Sequence, residues 1–376
     1  MNLTLAETPL HGWHTAHGAK MAEFGGWSMP IQYGSIVDEH HATRRAAGLF
    51  DISHMGRLIF RGDAAGPFLD HLLTRPVSQL GVGRVRYALL TNARGGTIDD
   101  VLVSRLEDSE GPFFLMVVNA GNLQKVTAWI ESNRSECADA DKEGSLEFED
   151  RTLQQAMLAV QGPRAGEVLA EVCSADLAGM GYYTAQCTEI DAKEGIVSRT
   201  GYTGEDGWEL IVPATHAETL WNRLAQVAGQ LGGTCVGLAA RDTLRLEAAM
   251  PLYGHELDED ISPLQAGLEF AVQLEGGSFV GRDALVQVAE QQDYRRRVGL
   301  VSSGRRAPRE GYPVLVSGRV IGSITSGTHS PTLGVPIAMA YVDREFADVG
   351  TEVSIDMRGR EERAEVVELP FYRRGK

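Results

Sequence analysis

Arg199 to Leu210 reads RTGYTGEDGWEL, three glycines and three acids set between two apolar, strand-like runs. Such a segment is a shaped turn that presents carboxylates. Glycine at 201, 204 and 207 permits positive φ or close backbone approach, so the loop bends sharply while Glu205, Asp206 and Glu209 take fixed positions. Strand signal resumes with Trp208, Leu210 and Val212, and in that alternation Glu209 faces away from Trp208 and Leu210. Glu209 therefore reaches either water or a polar pocket on the opposite sheet face. These residues alone also fit an ordinary hairpin loop with solvated acids.

Outward from that loop the chain alternates short strands and helices. Cys187 to Arg199 and Trp208 to Val212 read as a strand pair, Leu158 to Gln161 as a strand, and Arg164 to Cys173 and Ala214 to Ala228 as helices. Ala239 to Ala249, AARDTLRLEAA, is a helix with an apolar seam at Leu244, Leu246 and Ala248. Towards the N-terminus, Thr8 to Ile31 reads as coil plus a short strand, and Ser35 to Leu49 as a helix ended by Gly48. Asp51 to Phe60 alternates like one strand and Ala64 to Leu73 reads as helix. Tyr87 to Thr91 and Thr97 to Leu106 flank Gly95-Gly96 as a hairpin. Phe113 to Asn119 and Gly121 to Ser132 complete a split β-α-β unit. Ser132 to Asp150 is polar and acidic, a linker or exposed edge. Beyond Tyr294, closely spaced strands at 298–301, 313–316, 319–326, 337–342 and 352–355 predict a small all-β barrel or jelly roll.

At 376 residues the chain exceeds one core's usual size, which predicts two or three domains. A formal charge of −16 argues against nucleic acid and anionic membrane surfaces as partners, since both demand a local excess of Lys and Arg. From Gln291 onward the balance is 14 basic against 11 acidic residues, or +3, a weakly basic surface for an acidic partner. The four cysteines lie far apart with no CxxC pair, which suits reduced thiols in a cytoplasmic protein without structural metal. Neither a secretory signal nor an 18-residue apolar run is present.

Several constellations compete for chemistry. NARGGTIDDV, Asn92 to Val101, puts Asp99 and Asp100 on opposite faces of a strand just after a Gly-Gly bend, so one of them points inward. That one either caps the turn or serves a site. Arg241, in a partly apolar helix, suits bidentate recognition of a carboxylate or carbonyl edge, or else a salt bridge with Asp242, Glu247 or a neighbouring strand. His11, His14 and His17 recur at spacing three and His40-His41 form a pair, yet no zinc signature accompanies them. In DISHMG, Ser53 and His54 are adjacent and point to opposite strand faces without a GxSxG elbow, which argues against hydrolase chemistry. GAKM at Gly18 to Met21 is no P-loop, and no GxGxxG opens a helix.

Taken in order, DISHMG (Asp51 to Gly56), the GGTIDD turn, VVNAGN (Val117 to Asn122), VQGP (Val160 to Pro163), GYTGEDG, LAARDTLRLEA (Leu238 to Ala248) and ITSGTHSP (Ile324 to Pro331) resemble the aminomethyltransferase, or T-protein, family of the glycine cleavage system. The likeness runs from TPLHGWHTAHG to the ELPF near the end. It implies an α+β protein of three domains in a cloverleaf around a central folate cavity. Residues 1–50 plus 136–265 would form the first α+β domain. Residues 51–135 plus 266–287 would form a second, ferredoxin-like one interleaved with it, and residues 288–376 a C-terminal jelly-roll-like β domain.

The resemblance also implies the reaction. The one-carbon unit of an aminomethyl-lipoyl group on the H-protein passes to tetrahydrofolate, leaving ammonia, 5,10-methylenetetrahydrofolate and dihydrolipoyl H-protein. Tetrahydrofolate is then the co-substrate and no metal is needed. The lipoylated H-protein is the direct partner and the other glycine cleavage subunits indirect ones. Asp100 matches the family's catalytic aspartate, Glu209 and Arg241 its folate-contacting Glu and Arg, and Met55, Tyr87 and Asn119 its cavity lining. A carboxylate such as Glu209 accepts from adjacent N–H donors on a pterin edge. Asp100, ionised at an ordinary value of ~4, would hold negative charge beside the reacting nitrogens and favour proton removal. The chain departs from some relatives at Met250 and Phe270, where they carry Tyr and Trp; Tyr372 is a weak match to a terminal Tyr of the family, and the charge of Arg373, Arg374 and Lys376 would instead suit a place near the folate tail or the carrier. Two alternatives keep the fold: a folate-dependent demethylase of a small methylated donor, and a noncatalytic folate-binding relative. The latter group shows a KGCYTGQE-like loop with a Cys, which RTGYTGEDG lacks.

Overall fold

The computed structural model describes residues 4–134 and 145–375. The chain divides into two compact units. The first runs through Leu90 and takes in Asp99–Gly201 and Glu205–Arg241; the second takes Thr91–Ile98, Tyr202–Gly204 and everything from Asp242 on.

The first unit holds a six-stranded sheet in the order Ala185–Ile190, Lys193–Ser198, Gly207–Pro213, Gln155–Gln161, Gly48–Asp51, Thr234–Cys235. Trp208, Leu210 and Val212 lie in its core with Leu220, Trp221 and Leu224 of the helix Ala217–Gln230. Glu209, one residue out of phase, is buried on the other face, as the alternation predicts. A five-stranded sheet runs Arg84–Thr91, Thr97–Asp108, Gly111–Val118, Gly56–Arg61, Glu147–Asp150. The helices Ala65–Leu72 and Leu123–Arg134 are those read from the sequence. The polar stretch from Ser132 ends in the edge strand Glu147–Asp150, and its middle, like Cys137, lies outside the described residues. Cys173, Cys187 and Cys235 are free thiols.

In the second unit six strands close a barrel: Arg296–Ser302, Pro336–Val342, Arg319–His329, Pro313–Val316, Glu352–Asp356 and Glu361–Val367. Leu300, Val314, Ile321, Ile324, Ala340, Ile355 and Val366 fill it. The sixth strand, EERAEVV, escaped the sequence reading because its outward positions are charged and only Ala364 and Val366 are buried.

Three other segments differ from the sequence reading. His11–Ala16 is a short helix where coil was expected; burial of Trp13 and His14 holds it. The run from Asp51 to Phe60 is not one strand. Gly48–Asp51 belongs to the six-stranded sheet and Gly56–Arg61 to the five-stranded one, while the helix before them stops at Arg45. Asp51 forces the break by accepting the Ser53 N–H at 2.9 Å, Thr8 Oγ1 at 2.6 Å and His14 Nε2 at 2.9 Å. The buried Arg57 then fastens the turn through the carbonyls of Ser53, Met55, Thr152 and Gln155. Finally, Cys187 to Arg199 is two strands joined at Asp191 and Ala192, both at positive φ (48° and 60°) without a glycine to announce the turn.

The three glycines of the loop divide the two roles foreseen for them. Gly204 sits at φ +81°. A Cβ on Gly201 would lie 1.9 Å from the Gln161 Oε1, and one on Gly207 would lie 2.5 Å from the Val160 carbonyl and the Gln161 Nε2. Gly207→Ala therefore overpacks a buried strand pair and should cost roughly 1–3 kcal/mol in urea unfolding. Gly12, in the exposed short helix, meets nothing within 4 Å, and Gly12→Ala should stabilise by about 0.5–1 kcal/mol. Equal and small effects at the two positions would contradict this packing.

Candidate functional site

Asp99 and Asp100 follow the Gly95-Gly96 bend on the strand Thr97–Asp108. Asp99 is wholly buried and Asp100 half-buried, so it is Asp99 that points inward. The antiparallel register pairs Leu102 with Val117 and Val103 with Met116; continued by two residues, it sets Asn119 opposite Asp100. There the Asn119 Nδ2 donates to Asp100 Oδ1 at 2.8 Å and to Asp99 Oδ1 at 2.8 Å. Tyr87, on the adjoining strand Arg84–Thr91, donates its hydroxyl to Asp100 Oδ2 at 3.1 Å. Three of the six residues singled out, Asp100, Tyr87 and Asn119, thus form one hydrogen-bonded group.

Burial alters the charge state expected of these acids. It pushes Asp99 up to about 7, aided by the neighbouring Asp100 charge and opposed by donors from Asn119 and Asn122. Asp100 is raised by burial as well, against its bonds from Tyr87 and Asn119. The ordinary aspartate value assumed from sequence does not hold in this environment.

The three loop acids separate by partner. Glu205 pairs with Arg44 at 3.0 Å, and Asp206 pairs with Arg199, whose guanidinium also covers the Trp208 ring at 5.1 Å. Both hold the loop's shape. Glu209 alone carries neither duty: its buried carboxylate accepts the Thr200 hydroxyl at 2.5 Å, the one hydrogen bond to it among the described residues. Burial raises its pKa, while Thr200 and the charge of Arg241 pull the other way.

Arg241 lies in the helix Leu238–Glu247. Of the partners weighed for it, Asp242 pairs with Arg245 at 2.8 Å, and Glu247 takes the hydroxyls of Ser330 and Thr332. Its charge reaches both Glu209 and His54. His54 is buried, its Nδ1 has no hydrogen-bond partner among the described residues, and its ring meets Phe24 edge-on. Burial, with Arg241 and Arg57 nearby, drives it down to about 3, so the imidazole is neutral. Ser53 is no nucleophile for it, since Ser53 Oγ exchanges bonds with the Met157 backbone. Met55 is half-buried in the same turn, its carbonyl held by Arg57.

Sequence reasoning passed over the residue that relates the two acids. Tyr183, half-buried and at φ +59°, lies within electrostatic reach of Glu209 and Asp100; burial and both acids raise its hydroxyl pKa. Nothing in GYYT distinguished it, because its place depends on a left-handed backbone rather than on strand periodicity.

Other candidates go elsewhere. His14 sits between Tyr33 Oη at 2.8 Å and Asp51 at 2.9 Å, and His17 stacks on Trp13 at 3.7 Å. Phe270 is 66% exposed, and the Tyr372 N–H donates to the Glu247 carbonyl. A cavity of about 310 Å³ in the second unit is lined by Arg306, Ala307, Arg309, Tyr312, Met357 and Arg358, none of them a residue singled out from the sequence. No helix among the described residues is long and apolar enough to cross a membrane.

Residues 10–276 match the family described as the GCVT N-terminal domain, and residues 295–373 the glycine cleavage T-protein C-terminal barrel domain. The chain is 47% identical over 372 residues to an aminomethyltransferase of Moorella thermoacetica, covering 99% of each protein. It is 45% identical over 377 residues to one of Symbiobacterium thermophilum, again covering 99% of each. The crystal structure of the glycine cleavage system aminomethyltransferase T from Bartonella henselae superposes with a TM-score of 0.89 at 35% identity, over 98% of each chain. With both halves of the sequence matched and full-length relatives well above 40% identity, the chain belongs to the aminomethyltransferase, or glycine cleavage T-protein, family.

Proposed function

We propose that this enzyme moves the one-carbon unit of an aminomethyl-lipoyl group, carried by the H-protein, onto tetrahydrofolate, releasing ammonia and yielding 5,10-methylenetetrahydrofolate and dihydrolipoyl H-protein. Tetrahydrofolate is the co-substrate, the lipoylated H-protein the direct partner, and the cytoplasm the working compartment. The observation that carries the reading is the pairing of two unlike carboxylates in one unit. Asp100 is held by Tyr87 and Asn119, Glu209 is buried on Thr200, and Tyr183 is in electrostatic reach of both.

Glu209 fits the flat heterocycle. A buried carboxylate with a single hydroxyl donor retains accepting capacity for adjacent N–H groups of a pterin edge, and leaving that capacity unmet is costly. Arg241, whose charge reaches Glu209 and favours its ionised form against burial, would offer donors to a carbonyl beside those N–H groups. Met55 and Tyr183 would cover the ring faces, as apolar and aromatic walls do in small-molecule sites. Asp100 takes the reacting end. Raised by burial, it is a better proton acceptor than a solvated aspartate while still able to stabilise a developing positive charge when ionised. Tyr87 and Asn119 fix its orientation, so that little reorganisation accompanies the transfer.

Asp100→Asn removes charge with little change of volume. It should leave folate affinity within about twofold and lower turnover with aminomethylated H-protein by roughly 10²-fold or more, within the usual worth of a general acid–base group; release of ammonia measured at near-normal rate would refute the role. Glu209→Gln keeps the Thr200 contact but loses the charge-assisted acceptor, and should weaken tetrahydrofolate by roughly 1.5–3 kcal/mol in calorimetric titration. Unchanged affinity there would move the folate elsewhere.

A further inference from the structure

We propose that Asp99 is a positioning residue of the transfer reaction: through Asn119 it fixes the orientation of Asp100. The proposal rests on Asp100 being the reacting carboxylate.

The geometry is specific. An Asn amide has two N–H donors and a carbonyl acceptor. The Asn119 Nδ2 gives one hydrogen to Asp99 Oδ1 at 2.8 Å and one to Asp100 Oδ1 at 2.8 Å. Ionised carboxylates only accept, so the amide nitrogen is compelled to face both acids, and the amide carbonyl faces away. Asp99 also takes the Asn119 main-chain N–H at 3.0 Å and the Asn122 Nδ2 at 2.6 Å. It therefore grips Asn119 by backbone and side chain together, which removes the rotamer freedom that would let the amide turn from Asp100. Adjacent strand residues face opposite ways; Asn119, at the end of the neighbouring strand, is what joins the two acids.

A turn cap would not need this arrangement. A wholly buried carboxylate is costly, and an Asn at 99 would accept from the Asn119 N–H equally well without a charge. What only Asp supplies is a side chain with two acceptor oxygens and no donor, which orders the amide nitrogen towards both acids. Burial and the Asp100 charge hold Asp99 near 7, while Asp100 is raised by burial against its bonds from Tyr87 and Asn119, so the Asn119 amide is one of the groups that favour its charged form.

The test uses the full-length protein with ¹³C-labelled aspartate, the Asp100 carboxyl signal being identified by its loss in Asp100→Asn. In Asp99→Asn the Asn119 amide is no longer held on Asp100, which loses a donor to its charged form, so Asp100 should titrate higher, and the acid limb of the kcat profile should move the same way. The new amide at 99 carries its own donors towards Asn119, so kcat should also fall at least about tenfold while the folate KM stays within about twofold. If Asp99→Asn does not fold, Asn122→Ala removes one side-chain donor from Asp99 and keeps the main-chain N–H of residue 122 on the Asn119 carbonyl. Asp99 is then less firmly placed against the Asn119 amide, and Asp100 should again titrate higher, by a smaller step. An Asp100 signal unmoved in the folded variant overturns the proposal, whatever the rate. Full turnover by Asp100→Asn would sink the catalytic reading instead, and would leave the coupling visible in the carbon spectrum.

Discussion

The site hangs on the close approach of one buried carboxamide to two glycines. The Gln161 side chain is wholly buried, donates to the Thr200 carbonyl at 3.0 Å, and fills the space where side chains at 201 and 207 would stand. Thr200 is then locked, and its hydroxyl meets Glu209. The chain from Gln161 through Thr200 to Glu209 is a positional argument: a buried acid has a defined direction only when the group donating to it has one. On the other side of the strand, Trp208, Leu210 and Val212 are committed to the core, so a register slip of one residue would exchange Glu209 for an apolar side chain and bury a second orphan.

Pairing sorts the acids of the chain into structure and chemistry. Glu205 and Asp206 spend their charge on Arg44 and Arg199, and Asp51 is filled by His14, Thr8 and the Ser53 amide. In the second unit Glu256 is taken up by Arg245 at 2.9 Å and by Thr325. Removing either partner of such a pair leaves a buried charge uncompensated, which explains why these acids hold shape and are poor candidates for moving protons. Asp99, Asp100 and Glu209 are different. Their partners are neutral hydroxyls and amides, and burial raises all three, a perturbation that clusters at functional sites.

Much of this was legible in the sequence wherever one face of an element is buried and the other is wet. The helices Ala65–Leu72 and Ala217–Gln230 and the hairpin around Gly95-Gly96 are of that kind. Legibility fails where tertiary structure overrides the local pattern. Asp51 to Phe60 is buried almost throughout, so alternation cannot reveal that the chain changes sheets. His11–Ala16 is too short to carry a helical period and is held by Trp13 and His14. In the site, Asp100 and Glu209 stand on strands just after turns marked by glycine, which is why they could be named. Tyr183 could not, because a non-glycine residue at positive φ leaves no mark in composition. Asp99 was read as half of an ambiguous pair, and only the register of Gly111–Val118, which delivers Asn119 between the two acids, gives it a part.

The charge carried by the site also explains at atomic scale what the bulk composition excluded. Asp99, Asp100 and Glu209 contribute acid, Arg241 contributes one reaching cation, and His54, driven down to about 3, contributes none. The local balance is acidic, within a chain of net charge −16. A polyanion such as nucleic acid would be repelled by it. Under the proposed reaction a neutral heterocycle rich in N–H donors, and an amine that becomes more positive as it reacts, would be favoured, the more so in low-dielectric surroundings. The burial that neutralises His54 and the burial that raises the carboxyls are one physical cause with two opposite consequences for charge: each group is moved towards its neutral form, the base by losing its proton and the acids by keeping theirs.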